Sequence, residues 1–327
     1  MAKIRPKISG TLRTITGADH LATPRSYPQT TDKRCIRRST AGTPPDQLRL
    51  SDRHGIEGGL EVQPKDSYLI AACPRTGSWL LTYALQDFGT VGVPDEYFAQ
   101  DIEAFWAGKW GITSPEDGGS YRDYLQAAFR TGTSDNGVFG SKLLWEWVAN
   151  FTARARTMPE FAEIDDSGQV LVRAFPGLRL VMLRRRNKVR AAVSFWRAGV
   201  SGVWAVLPSG EPAWRSPRLP LRDEFSVVTI DELHARAHAE EDAWLRLAES
   251  MQVPRHDVVY EDLIQAWDAT LIGVVEFLGQ KPAPGFGVSP PRLQRQADGV
   301  TDHFVELWSS MTGGCAECGA GPDPMVR

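Results

Sequence analysis

Cysteine is scarce: the 327-residue chain has four (Cys35, Cys73, Cys315 and Cys318), too few for a disulfide framework. This leads us to expect a reducing, cytoplasmic setting. Long apolar runs are missing as well. No stretch of 18 apolar residues occurs, so no membrane span is read. The first residues lack the apolar core of a secretory signal. There is no internal repeat. The "CAEC" stretch at 315–318 is half of a zinc site at most, because Cys35 and Cys73 form no second pair. No metal is expected.

Acidic residues are sparse at one end. The first 50 residues carry ten Lys/Arg against three Asp/Glu, while the remainder carries 27 basic and 37 acidic residues. That first stretch is rich in Thr, Ser and Pro and shows no sustained periodicity. Residues 1–64 are read as a basic, disordered extension without a nucleic-acid partner. Residues 65–310 are the expected domain, and 311–327 a flexible tail.

Within the domain, "YLIAAC" (68–73), "VFGSKLLW" (138–145), "LRLVML" (178–183) and "DVVY" (257–260) read as short apolar strands. Helical patterns follow them: "SWLLTYALQDFG" up to Gly89, "NKVRAAVSFWRAG" up to Gly199, and "DLIQAWDATLIGVVEFLG" up to Gly279. A further helix is expected over about 231–250, capped by Asp231. Strands alternating with helices predict an α/β fold, a P-loop-like three-layer sandwich whose parallel sheet of about five strands has helices on both faces. The Gly/Pro/Trp-rich stretch 201–220 reads as a binding loop or lid.

The first strand runs into "ACPRTGSWLL" (72–81), a tight turn opening a helix, which is how backbone N–H groups are aimed at an anion. A nucleoside-triphosphate loop needs GxxxxGK[ST], but Ala72 and Ser78 stand at its first glycine and its lysine. Such a site also needs a magnesium-binding Asp at a neighbouring strand end. Here "LRLVML" ends in Arg184, Arg185 and Arg186. Arginines do not hold a cation; they suit a second phosphate. Ser194 lies about two turns into the next helix, roughly 11 Å along its axis, within reach of a converging Arg side chain. The ligand expected from these residues is doubly anionic.

The stretches "PRTGSWLL", "GVPDEYF", "FGSKLLW", "RRRNKVRAAVSFWRA", "VYEDL" and "LQRQADGVTDHFVELW", in that order over about 68–308, resemble the sulfotransferases that use 3′-phosphoadenosine 5′-phosphosulfate (PAPS). More narrowly, they resemble the bacterial trehalose 2-sulfotransferase (Stf0) type. The resemblance implies PAPS as sulfuryl donor without a metal, a hydroxyl acceptor such as a sugar or polyol, and a homodimer. It implies that Arg75, Thr76, Gly77 and Ser78 bind the 5′-phosphosulfate. Ser194 then binds the 3′-phosphate with Arg185 (nine-residue spacing) or Arg186 (eight-residue spacing). The C-terminal loop contributes Arg295 and Gln296, and Tyr260 lies near the adenine. Trp79 stands where a second loop hydroxyl is usual, and an indole cannot supply that contact.

Transfer to a hydroxyl needs a base and fixed positive charge. Many relatives carry a histidine two residues beyond the strand lysine, which here is Lys142; that position is Leu144. The trehalose type uses the glutamate of a Pro-x-Glu-aromatic-Phe segment, which nominates Glu96 as base, with Asp95 as fallback. Lys142 either contacts the sulfuryl group or pairs with a carboxylate. Trp145, Trp196, Arg197 and Trp204 offer faces for a sugar ring, with core packing as their competing role. Two other readings stay open: an acceptor that is a specialised natural product, and a nucleotide-binding module without activity.

Overall fold

The computed structural model describes residues 62–282 and 286–313. The expected extension and the CAEC tail lie almost wholly outside these. Val62, at the start, already packs against the core, and its N–H donates to Gln126 Oε1 at 2.8 Å.

Four parallel strands form the main sheet in the order β2-β1-β3-β6: β1 (Asp66–Ala72), β2 (Val138–Leu144), β3 (Arg179–Arg184) and β6 (Arg255–Val259). These are the four apolar runs of the sequence. The described sheet thus has four strands, not about five. The 201–220 stretch builds a separate antiparallel pair, β4 (Val203–Val206) with β5 (Pro212–Arg215). Its strands are only four residues long, and its Gly and Pro content masked them.

The sheet is buried on both faces because its side chains alternate. Leu69, Ala71, Phe139, Leu143, Leu180 and Met182 face one core, built with α3 (Tyr121–Gly132), α4 (Trp145–Ala155), α5 (Ser167–Ala174) and α7 (Val227–Met251). Tyr68, Ile70, Ala72, Val181, Leu183 and Val258 face the other, built with α1 (Ser78–Gln86) and α9 (Trp267–Phe277). A third cluster joins α6 (Lys188–Ser201), α7 and α10 (Gly299–Thr312). The short α2 (Glu103–Trp110) packs Trp106 and Ala107 into the first core.

Helix ends differ from expectation at three points. Helix α7 is capped by Ser226, whose side chain accepts from the Thr229 N–H, and it begins four residues before Asp231. Helix α6 runs past Gly199 and stops at Gly202, which sits at φ +71°. The last helical pattern splits into α8 (Tyr260–Gln265) and α9, because Ala266 leaves the helical region at φ −127° and ψ 54°.

Register puts Ala72, Leu144, Leu183 and Val258 side by side. The carboxyl ends of all four strands therefore open on one edge, where open α/β sheets bind ligands.

Candidate active site

The loop between β1 and α1 is held in an unusual shape. Arg75 is at φ +65° and Gly77 at φ +84°. A Cβ on Gly77 would lie 2.6 Å from the Tyr260 ring, so glycine is required both by conformation and by close approach. The Thr76 hydroxyl donates to the Cys73 carbonyl at 2.8 Å and braces the turn. The first-turn N–H groups of α1, starting at Ser78, have no acceptor within the helix, and such a helix end favours an anion.

The Arg75 side chain leaves this loop and reaches three other segments. Its Nε donates to Ser194 Oγ of α6 at 2.9 Å, and Nη1 to the Trp204 carbonyl of β4 at 2.6 Å. Its Nη2 donates to Gln296 Oε1. Burial, with the Arg185 charge nearby, pushes Arg75 down to about 10.

Arg185 and Arg186 part company at the end of β3. The Arg185 guanidinium points inward, donates to the Arg75 carbonyl at 3.0 Å and lies 4.7 Å from the centre of the Tyr260 ring. The Arg186 guanidinium points outward to Asp262 at 2.5 Å, and its backbone N–H donates to Glu261. Lys188 supports the inward turn by donating to the Arg185 carbonyl while pairing with Glu241 at 2.6 Å.

These groups surround a cavity of about 530 Å³ lined by Arg75, Gly77, Ser78, Arg185, Ser194 and Tyr260, among others. Trp79, Arg190, Trp204, Trp267, Arg295 and Gln296 also face it. Arg186 does not. The C-terminal loop closes one wall, tied to β4 by a bond from the Gln294 N–H to the Val206 carbonyl at 2.8 Å.

Glu96 and Lys142 sit together at the end of β2. The segment bearing Glu96 lies along the outer edge of that strand: the Asp95 carbonyl accepts from the Lys142 N–H and the Ser141 hydroxyl, each at 2.9 Å. Tyr97 and Phe98 anchor it in the core, fully buried. The Glu96 carboxylate pairs with the Lys142 ammonium, and both are buried. Burial pushes Glu96 up to about 7 against the pull of Lys142, and Asp95 up to about 6. Burial lowers Lys142, while Glu96 opposes the shift. Neither residue of the pair lines the cavity. Trp79 does, and the Lys142 nitrogen lies 3.5 Å from the centre of its ring, a cation–π contact.

The model of the Stf0 sulphotransferase family matches residues 67–310. The chain belongs to this family. The trehalose 2-sulfotransferase of Mycolicibacterium smegmatis is 30% identical over 272 residues, spanning 74% of this chain and 94% of that protein. The trehalose 2-sulfotransferase of Mycobacterium tuberculosis is 28% identical over 263 residues, with 74% and 93% covered. Among solved structures, the sulfotransferase domain of a Synechococcus olefin synthase aligns over 78% of this chain and 91% of that one, at 15% identity and a TM-score of 0.39.

In this Stf0 sulphotransferase, most residues named from sequence fall into two groups; Thr76, whose hydroxyl braces the turn, and Arg186, which pairs with Asp262, belong to neither. Arg75, Gly77, Ser78, Arg185, Ser194, Tyr260, Arg295 and Gln296 converge on the cavity. Glu96 and Lys142 form the neighbouring buried pair, with half-buried Asp95 beside it. Of the four possible sugar-facing residues, only Trp204 lines this cavity. Trp145 packs edge-on against Trp244 at 5.5 Å, and Trp196 is core. Arg197 grips the Asp298 carboxylate through both terminal nitrogens, at 2.6 and 2.9 Å. Sequence reading missed Arg190 and Trp267. Arg190 sits one turn before Ser194 on the same helix face, a spacing that was available to find it.

Proposed function

We propose that the protein transfers a sulfuryl group from PAPS to a hydroxyl of trehalose, the sugar named for its two mycobacterial relatives. The observation that carries this reading is the convergence of Arg75, Arg185, Ser194, Arg295 and Gln296 from four separate segments on one cavity, beside a buried carboxylate.

The lining fits such a donor. Arg185 and Ser194 would hold the 3′-phosphate, and Arg295 would close over it. The loop N–H groups, with Ser78, would hold the 5′ end. Trp267 and Tyr260 offer flat surfaces to the base. Arg75 links the two anion sites, with its backbone in the loop and its guanidinium beside Ser194. When bound, PAPS supplies an activated sulfuryl group whose leaving group is a phosphate oxygen.

Glu96 is the base in this reading. It would accept the proton of the attacking hydroxyl, which demands a carboxylate that is ionised yet basic near neutrality. Burial supplies the basicity, and Lys142 keeps the ionised form accessible. Lys142 is thus assigned both roles left open by the sequence: partner of the carboxylate and fixed cation beside the reacting centre. Trp79 replaces a loop hydroxyl with a ring that favours the charged form of Lys142. By resemblance, the working form is a homodimer. The cysteine usage supports a reducing, cytoplasmic compartment.

Incubation with ³⁵S-labelled PAPS and trehalose in excess EDTA, followed by mass analysis of the product, tests the reading. The expected result is trehalose monosulfate together with adenosine 3′,5′-bisphosphate. Binding of the bisphosphate with no transfer to any sugar or polyol would instead support the nucleotide-binding module.

A further inference from the structure

Arg190 belongs to none of the paired positions that the family resemblance assigns. It is the third residue of α6, and its backbone N–H donates to the side chain of the capping Asn187 at 2.9 Å. One turn later on the same face stands Ser194, and both line the cavity with Arg75, Arg185 and Arg295. The Arg190 side chain is only 11% exposed. Its Nη2 pairs with the Asp302 carboxylate of α10 at 2.6 Å. The other edge is different: Nε and Nη1 are buried and meet no acceptor among the described residues.

A guanidinium is a planar fork of five N–H donors, and leaving one edge buried without acceptors is costly. Three further arginines face the same cavity, whose lining includes a single acidic residue, Asp268. An entering anion relieves both the orphaned donors and the crowding of like charge.

We propose that Arg190 is a specificity-determining contact whose Nε–Nη1 edge takes the phosphate on the ribose 3′ position, beside Arg185 and Ser194. The ligand class is a nucleotide bearing a phosphomonoester dianion on its sugar. The inference rests on the PAPS reading above and adds to it a cation from the first turn of α6. Asp302 pairs with Nη2 and leaves the Nε–Nη1 edge without an acceptor among the described residues.

Isothermal titration of the full chain with adenosine 3′,5′-bisphosphate and with AMP tests the assignment. The wild type is expected to prefer the bisphosphate. Arg190→Gln should lower bisphosphate affinity by roughly 10- to 100-fold, the range for a lost charge-assisted contact, and leave AMP within about threefold. Arg190→Lys keeps the charge without the fork, so it should fall between the two and serves if the glutamine variant does not fold. Asp302→Asn should keep the preference. A wild-type preference that survives Arg190→Gln and Arg190→Lys but is removed by Arg185→Ala would overturn the inference and leave the PAPS reading intact. Equal losses for both ligands in Arg190→Gln and Asp302→Asn would also overturn it, since Arg190 would then only brace α6 against α10. No wild-type preference at all would defeat the underlying reading as well.

Discussion

Around the cavity, positive charge is spread over four arginines from the loop between β1 and α1, the end of β3, the first turn of α6 and the C-terminal loop. At the end of β2, the Lys142 ammonium pairs with the Glu96 carboxylate, both buried, with Asp95 nearby. Arg75 stays charged even beside Arg185, lowered only to about 10. Glu96 is raised to about 7, where a carboxylate can exchange a proton in neutral solution. The first region suits holding charge, the second suits moving a proton. Loss of one arginine should therefore weaken binding by a step, whereas loss of the carboxylate should stop chemistry without loosening the ligand.

Removing Arg75 should have the largest effect on the cavity side, because its side chain bonds three other segments. Arg75→Ala should lower kcat/KM by roughly 10³, the upper range for one lost preorganised donor, as measured by initial rates. A loss of under about tenfold would show that the arginines substitute for one another more freely than their geometry suggests.

The two strand-end arginines give the next contrast. Arg185→Ala should weaken adenosine 3′,5′-bisphosphate binding by about 10- to 100-fold, in keeping with one lost charge-assisted pair. Arg186→Ala should change it by less than about threefold, because an exposed pair with Asp262 is worth little. Equal effects in titration would erase the distinction between inward and outward residues.

The pH dependence separates the two regions by sign. As the proposed base Glu96 would work deprotonated, and burial raises its pKa to about 7. kcat/KM should therefore rise with pH through about 7 and then level off. Bisphosphate affinity should stay nearly flat from about pH 7 to 8, well below the value of about 10 for Arg75. A rate that is flat from pH 6 to 8 would remove Glu96 from the role of base. The smallest effect is expected at Trp79: Trp79→Phe keeps an aromatic face for Lys142, so rates should fall by only about threefold, a fraction of a cation–π contact.

Much of this arrangement was legible in the sequence, and the exceptions have local causes. The four parallel strands were readable because burial on both faces demands continuous apolar runs, as in "YLIAAC". The loop "PRTGS" was readable because a helix start at a strand end is a local feature. The choice between Arg185 and Arg186 was not, because successive residues leaving a strand point opposite ways. Asp262, the partner that holds Arg186 outward, is 76 residues away. Trp79 looked like a defect in the loop until its partner, Lys142 on a neighbouring strand, was in place. Arg190 was passed over because an arginine in a first helical turn usually points to water.

The division between holding charge and moving a proton is tested most directly by Glu96→Gln, which keeps the size of the side chain but cannot accept a proton. Titration with adenosine 3′,5′-bisphosphate and the single-turnover rate with PAPS and trehalose should be measured on the same preparation. The account expects affinity within about twofold of wild type and a rate lower by roughly 10²–10⁴. A rate within a few-fold of wild type, or affinity falling in step with the rate, would contradict it.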